Sequence, residues 1–268
     1  MAITTLDGAI AGMQPPQEFY KIGTAASAAG VFYTPFYAAG YPGAAAVYAG
    51  GLVGASLTTY AGQIPWTNPV SGNSYLARFS GTATIAGSLY LVDRLWHNSI
   101  PLVTTTTAQT VGSAAFPARD STGTTNGAGV YVGLEITATI GTAAPVTNTT
   151  MSYTNSLGTA GQTATIASVN TAATKGSFFP FQLAAGDAGV RAIASVTLGT
   201  SYVSGTFGLV AYRLLARLDL NLANSGWAVD ALTGGFVQMY SNTVPQLLFM
   251  PSATTATNFS GQLIVTQG

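Results

Sequence analysis

Charge is what this chain has least of. Acidic and basic residues make up 6% of its 268 positions, eight of each sign, where a soluble domain typically carries about 25%. Soluble monomers keep apart largely by displaying mixed charges. A chain this poor in them has its surface in a membrane, in an assembly, or under some other cover. Cysteine is absent, which removes disulfide scaffolds, thiolate zinc sites and thiol nucleophiles. One histidine is present, His97. The basic residues stand singly, with Arg213 and Arg217 nearest to a pair. Without clustered Lys or Arg to neutralise phosphates, the chain is expected to make no direct contact with DNA or RNA. The opening Met1-Ala-Ile-Thr-Thr-Leu-Asp7 has no basic stretch of a secretory signal.

No charge occurs between Lys21 and Arg78. Within that interval, Ala25 to Thr58 is rich in Ala, Gly, Tyr and Val. A membrane-spanning helix needs about 20 mainly apolar residues. Pro35 and Pro42 interrupt the run, Gly30, Gly40, Gly43, Gly50, Gly51 and Gly54 surround them, and Leu52 and Leu57 are its only leucines. Such a segment inserts poorly, so no membrane span is expected. It reads as an extended arm packed against protein.

What is present is hydrogen-bonding polarity without charge. Hydrophobic residues reach 48%, close to the usual share, and Thr, Ser, Asn, Gln and Gly fill the place of the missing ions. Thr5 can cap a short helix within Ile3–Met13, with Leu6, Ile10 and Met13 on one side and Pro15-Pro16 ending it. From about 25 to 69 there is no steady period. Aromatic residues recur at Phe32, Tyr33, Phe36, Tyr37, Tyr41, Tyr48 and Tyr60, and Tyr, a flat apolar ring with a polar tip, suits protein interfaces.

From Ser74 onward the pattern is β. Strands are expected at 75–79, 87–96, 130–137, 149–153, 163–169, 192–198, 206–220, 236–240, 246–250 and 262–266. In the third, Val130, Val132, Leu134 and Ile136 alternate with Tyr131, Gly133, Glu135 and Thr137, the period of a half-buried strand. Clusters such as Asn155-Ser-Leu-Gly158 separate the runs, and many short strands with turns between them indicate a sandwich or barrel. No fixed internal repeat is present, which argues against solenoids and propellers. The expected organisation is an N-terminal arm over 1–70, with a short helix and irregular segments, and an all-β body of β-sandwich or jelly-roll type over 71–268, as one sandwich or two.

Residues capable of chemistry are few and dispersed. Asp93-Arg94-Leu-Trp96-His97-Asn98 is the densest polar cluster, and in a catalytic triad a carboxylate orients the histidine. Along a strand, however, Asp93 and His97 lie about 13 Å apart, so the cluster reads as a strand end at a subunit contact. Asp93-Arg94 and Arg119-Asp120 place opposite charges side by side in sequence and on opposite strand faces; each is expected to pair with another strand or chain. Arg213, Leu215, Arg217 and Asp219 share one face of a strand and offer either a ladder of interface salt bridges or a solvated strand face, while Tyr212, Leu214, Ala216, Leu218 and Leu220 read as core. The acidic residues form no calcium loop or glycosidase signature, and Gly50-Gly-Leu-Val-Gly54 lacks the Lys-Ser/Thr of a phosphate loop. No cofactor, metal or catalytic residue is expected.

Ser74-Tyr-Leu-Ala-Arg-Phe79, Leu91-Val-Asp-Arg-Leu-Trp-His-Asn98, Phe116-Pro-Ala-Arg-Asp120, Ser152-Tyr-Thr-Asn155 and Ser260-Gly-Gln-Leu-Ile-Val-Thr-Gln267 together resemble the virion structural proteins of tailed bacteriophages. The closest likeness is to capsid decoration, or cement, proteins. That resemblance implies a β-sandwich, a trimeric homo-oligomer, the major capsid protein and other virion proteins as partners, and a place in the virion after assembly in the host cytoplasm. A tail or fibre component, or an adhesin that binds host glycans, is the alternative; a secreted β-sandwich enzyme is disfavoured. The residues expected at intersubunit contacts are Phe32, Tyr33, Phe36, Tyr37, Tyr41, Tyr48, Asp93, Arg94, Trp96, His97, Arg213 and Arg217.

Overall fold

The structure is a computed structural model that describes residues 3, 5–24, 26–100 and 102–268. Ala25, where the arm was expected to begin, and Met1, Ala2 and Thr4 of the N-terminal reading lie outside them. Regular structure is almost all strand. In chain order the elements are α1 (Leu6–Ala11), β1 (Gln17–Thr24), β2 (Phe32–Tyr33), β3 (Gly40–Tyr41), β4 (Ala55–Ser56), β5 (Ser74–Ala83), β6 (Gly87–His97), β7 (Gln109–Thr110) and β8 (Val130–Ala138). They continue with β9 (Val146–Asn155), β10 (Gln162–Val169), β11 (Ser177–Pro180), β12 (Val190–Thr197), β13 (Thr206–Leu220), β14 (Trp227–Asp230), α2 (Ala231–Gly234), β15 (Gln238–Met239), β16 (Pro245–Pro251) and β17 (Thr257–Gln267).

The centre is a closed barrel. β13, β8, β11, β2, β16 and β6 follow one another, and β6 pairs back onto β13, with Val210 opposite His97 and Leu220 opposite Gly87. Closure removes the unpaired edges that an open sheet would present. Val92, Phe178, Val210 and Leu248 pack together with Phe32, Tyr90 and Tyr212 as its lining. One flank of the barrel, including Val132, Leu134, Ile136 and Leu209, packs on Met151, Tyr153, Ile166, Ile193 and Val196 of the sheet β10-β9-β12-β7. The other flank, including Leu89, Leu91, Leu218 and Phe249, packs on Phe19, Leu76, Phe79 and Leu263 of the sheet β14-β5-β17-β1-β3. The all-β body is therefore two sandwich-like packings that share a barrel. Each fully buried Leu, Val or Phe in them contributes about 1.5–3 kcal/mol.

The barrel changes the expected role of two strands. β8 alternates as predicted, but both of its faces are buried: the aliphatic face meets the flanking sheet and Glu135 turns into the barrel. In β13 the expected core phase is inverted in part. The register with β6 slips between Leu214 and Ala216, and such a bulge turns subsequent side chains to the other face. Arg213 is buried before the slip, Leu215 at it, and Leu218 and Leu220 after it, while Leu214 is exposed.

The first seventy residues contribute to the same sheets. β1 runs antiparallel to β17, Gln17 opposite Leu263, and β2 joins β11 to β16 in the barrel. Between these strands the chain is irregular and extended, with a 3-10 turn at Pro35–Tyr37 capped by Thr34. The predicted helix forms as α1, with the Thr5 hydroxyl accepting from Gly8 N at 3.0 Å. Its buried residue is Ala9; Leu6, Ile10 and Met13 are exposed.

Candidate functional site

The adjacent charges of β6 divide between two polar centres, one inside the barrel and one outside. Arg94 points inward. Its Nη2 donates to Glu135 Oε2 at 2.6 Å, and its Nη1 to Glu135 Oε1 and to Gln246 Oε1, both at 3.1 Å. The Tyr37 hydroxyl donates to Glu135 Oε2 at 3.0 Å, and Gln246 Nε2 donates to Thr34 Oγ1 at 2.7 Å. The Phe36 ring lies 5.1 Å from the guanidinium carbon. Residues 34–37 thus supply partners to an ion pair that is otherwise sealed in protein. Burial disfavours a charged Arg94, but Glu135 and Tyr37 outweigh it and raise its pKa. Burial, then the Glu135 charge, pushes the Tyr37 hydroxyl well above the usual phenol range.

Asp93 points the other way. It accepts from Arg119 Nε at 3.0 Å, Arg119 Nη2 at 3.2 Å and Val244 N at 2.9 Å, with Thr243 Oγ1 at 3.4 Å and Arg213 Nη2 at 3.9 Å. Arg119 Nη1 donates to Leu57 O at 2.8 Å, and Arg213 Nη2 to Gln238 O at 2.9 Å. Burial lowers the Arg213 pKa despite the nearby Asp93. One carboxylate therefore joins β6, β13 and three connecting segments. The expectation that Asp93, Arg94 and Arg119 pair with other strands is met within the chain itself.

Asp120 does not pair with its neighbour Arg119. Its carboxylate accepts from the amides of Thr122, Thr124, Gly127 and Ala128 and from the hydroxyls of Thr122 and Thr124, at 2.8–3.2 Å. Burial acts to raise its pKa, but the bonds from Thr124 and Thr122 hold it at about 2. Lys21 Nζ donates to Pro42 O at 2.6 Å, Gly43 O at 3.2 Å and Ala38 O at 3.3 Å, tying the irregular segment to β1. Burial lowers this ammonium to about 8.

His97 stacks on Tyr48 at 4.2 Å between ring centres and meets the edge of Tyr60 at 4.7 Å. Neither ring nitrogen has a hydrogen-bond partner among the described residues. Burial first, and the Arg94 charge second, push its pKa down to about 2. Among the described residues no carboxylate orients it, and burial favours its neutral form, the reverse of what an acid–base histidine requires. Among the described residues no three His, Asp or Glu side chains gather as a metal site.

Most of the expected contact residues are turned into the chain's own body. Tyr33, Phe36, Asp93, Arg94, Trp96, His97 and Arg213 are buried within the chain itself. Phe32, Tyr37 and Tyr48 are partly buried. Tyr41 and Arg217 reach solvent, Arg217 in a half-exposed pair with Asp219 at 2.9 Å. Glu135 and Gln246 complete the polar centres without having been singled out as site residues. Each sits in an apolar or turn-like stretch, and the signal that existed was the rarity of charge itself.

No family model matches the chain, and no curated protein does. Among solved structures, the VP2 subviral particle of infectious bursal disease virus aligns at 10% identity over 96% of this chain and 81% of that one, with a TM-score of 0.20. The T13 particle of the same virus aligns at 11% identity over 96% and 77%, also at 0.20. TM-scores this low show no common fold. Among the described residues no helix is long and apolar enough to cross a membrane.

Proposed function

We propose that the chain is a non-enzymatic virion structural protein that decorates or cements a tailed-phage head through subunit contacts. One observation carries this reading. Seven of the sixteen charged side chains, Lys21, Asp93, Arg94, Arg119, Asp120, Glu135 and Arg213, are buried. Nine remain to cover the outside, and among the described residues eighteen large hydrophobic side chains are exposed beside them. Singly exposed apolar residues are ordinary, but here they outnumber the charges that would keep copies apart. Depletion of charge with retained aromatic residues is also the composition of interface cores.

The ionisable groups support the same conclusion. The buried ones are engaged in holding segments together, as mechanical duty requires. The partners proposed are the major capsid protein, other virion proteins and further copies of this chain in a trimer. The exposed part of the segment before residue 70, Tyr41 included, is where a neighbour is expected. The site of action is the virion, assembled in the host cytoplasm.

Sedimentation of the purified chain across a range of concentrations, with electron microscopy of the native assembly that contains it, tests this reading. The expected result is a trimer or larger body, with density for the chain on the head shell. A monomer that persists at high concentration overturns it. Density confined to a tail or fibre selects the alternative placement.

A further inference from the structure

Two short helices stand at the end of the sheet β14-β5-β17-β1-β3 where β5 begins and β17 finishes, and the surface between them is apolar. α1 is pinned there by its small side. The Thr266 hydroxyl donates to Ala9 O at 2.5 Å, Gln267 N to Gly12 O at 2.9 Å and Gln14 N to Val265 O at 2.8 Å. Gly12 lies so close to β17 that a methyl group on it would fall 2.2 Å from Gln267 O. With Ala9 and Gly12 against the sheet, the helix is not free to roll. Leu6 and Ile10, one turn apart on the same side, and Met13 just beyond are thereby held outward, 63%, 54% and 50% exposed. An amphipathic helix normally turns its apolar side to the core; this one is built to turn it away.

α2 completes the patch from the other side. Its Leu232 is 80% exposed, and Phe236 meets Tyr75 of β5 edge-on at 6.3 Å between ring centres. The Asp230 carboxylate caps this helix, accepting from Leu232 N and Thr233 N, both at 3.0 Å, so Leu232 too is presented by a fixed turn. Ile3, Thr5, Leu6, Tyr75, Leu232 and Phe236 line a groove of about 430 Å³, with no charged side chain among these described residues. Leu6, Ile10, Met13, Leu232 and Phe236 together expose about 500 Å² of apolar surface, at the upper end of what a monomer leaves open. A standard interface takes about 800 Å² from each partner, and in homodimers about 65% of it is apolar. The patch supplies that apolar share.

Charge narrows the occupant. Asp7 and Asp230 sit beside the patch, and Arg78 lies opposite Asp230 on β5, where a helix that rests on a membrane would carry a face rich in Lys or Arg. A protein of ordinary charge density would bury unpaired ions against the uncharged lining, at a cost of several kcal/mol per ion. This chain's own surface, with nine charged residues left outside, meets the lining without that cost. We infer that the patch between α1 and α2 seats a second copy of this chain, with Leu6, Ile10 and Leu232 as the central contacts. The inference rests on the assembly reading above and assigns that assembly a surface.

Sedimentation of the intact chain over a concentration series reads the association. Leu232→Glu and Ile10→Glu are each expected to weaken it about tenfold or more, with circular dichroism unchanged. Leu157→Glu, at an exposed leucine in the β9–β10 turn on the opposite flank, should leave it as it is. Because the chain has no cysteine, Ile10→Cys and Leu232→Cys each introduce a single thiol. Its labelling by a maleimide should slow in proportion to the assembled fraction, while Leu157→Cys labels at one rate throughout. This second readout stands even where a glutamate disturbs folding. A chain that stays monomeric overturns the assembly reading and this inference with it. An assembly that tolerates both glutamates and leaves both thiols open overturns this inference alone and gives the patch to a different partner.

Discussion

Removing the charge of Asp93 should destabilise the chain more than any other isosteric change. The side chain is fully buried and receives three close N–H donors, two of them from Arg119, with the Arg213 guanidinium at 3.9 Å. Asp93→Asn keeps the volume but leaves two buried guanidinium groups facing a neutral amide whose NH₂ is itself a donor. Breaking a buried pair by removing one partner costs about 3–5 kcal/mol. The individual hydrogen bonds to a charged group are worth about 1.5–3 kcal/mol each, but they share one carboxylate and do not add. Urea unfolding followed by fluorescence and circular dichroism measures the loss as a lower midpoint at unchanged slope. The partner variant is Asp93→Leu with Arg119→Met, which removes both ends of the closest pair. Arg213 then retains Gln238 O and the Tyr240 ring at 5.0 Å, so the double variant should be more stable than the sum of its singles, with a coupling of about 0.5–3 kcal/mol. A loss below about 1 kcal/mol for Asp93→Asn, or strict additivity in the cycle, would refute the assignment of Asp93 as the charge that holds these segments together.

Other variants probe the remaining groups. His97→Phe should leave thermal stability unchanged or raise it, because a ring with two unpartnered buried nitrogens is replaced by one that needs none; a drop of several degrees would show a bond the ring does make. Because His97 is held at about 2 against 6.5 when unfolded, the unfolded chain binds the extra proton below pH 6.5. Stability should fall there by up to about 1.4 kcal/mol per pH unit, and His97→Phe should flatten that slope. Asp120→Ala frees six donors in the 121–128 loop, so limited proteolysis should cut there first, while the parent resists. Lys21, lowered to about 8, binds fewer protons folded than unfolded between pH 8 and 10.5, so its contribution to stability rises with pH across that window. Tyrosines such as Tyr202, raised to about 12, act in the opposite sense above pH 10. Lys21→Met should remove the rise and leave the fall, as read from unfolding midpoints at a series of pH values.

Period-two alternation made much of the body legible, including the two long strands β6 and β13 and the turn at Asn155–Gly158. It failed where a strand inverts the usual rule. β1 buries Lys21 and exposes Tyr20 and Ile22, so hydrophobicity hides it until the carbonyls around the ammonium are known. In β13 alternation was visible but the bulge that resets it was not, since a bulge is set by pairing with β6. A closed barrel also leaves no signature in one strand: Glu135 looks like a solvent-facing residue until the ring of strands puts that face inside. The aromatic residues of the charge-free segment read as contact residues for protein. Composition does not specify whose protein, and for Tyr33 and Phe36 it is this chain's own.

The barrel is completed by two residues, Phe32 and Tyr33, that must reach strands about 145 and 215 positions later, and β1 waits for β17 near the end of the sequence. During synthesis, neither the central barrel nor the sheet beside it can form until the last strands have left the ribosome. Pairings this distant fold slowly and leave unpaired strands exposed meanwhile. A nascent chain so low in charge therefore has little electrostatic protection over its most vulnerable interval, and its production should depend on chaperone supply and on translation that is not interrupted before β17.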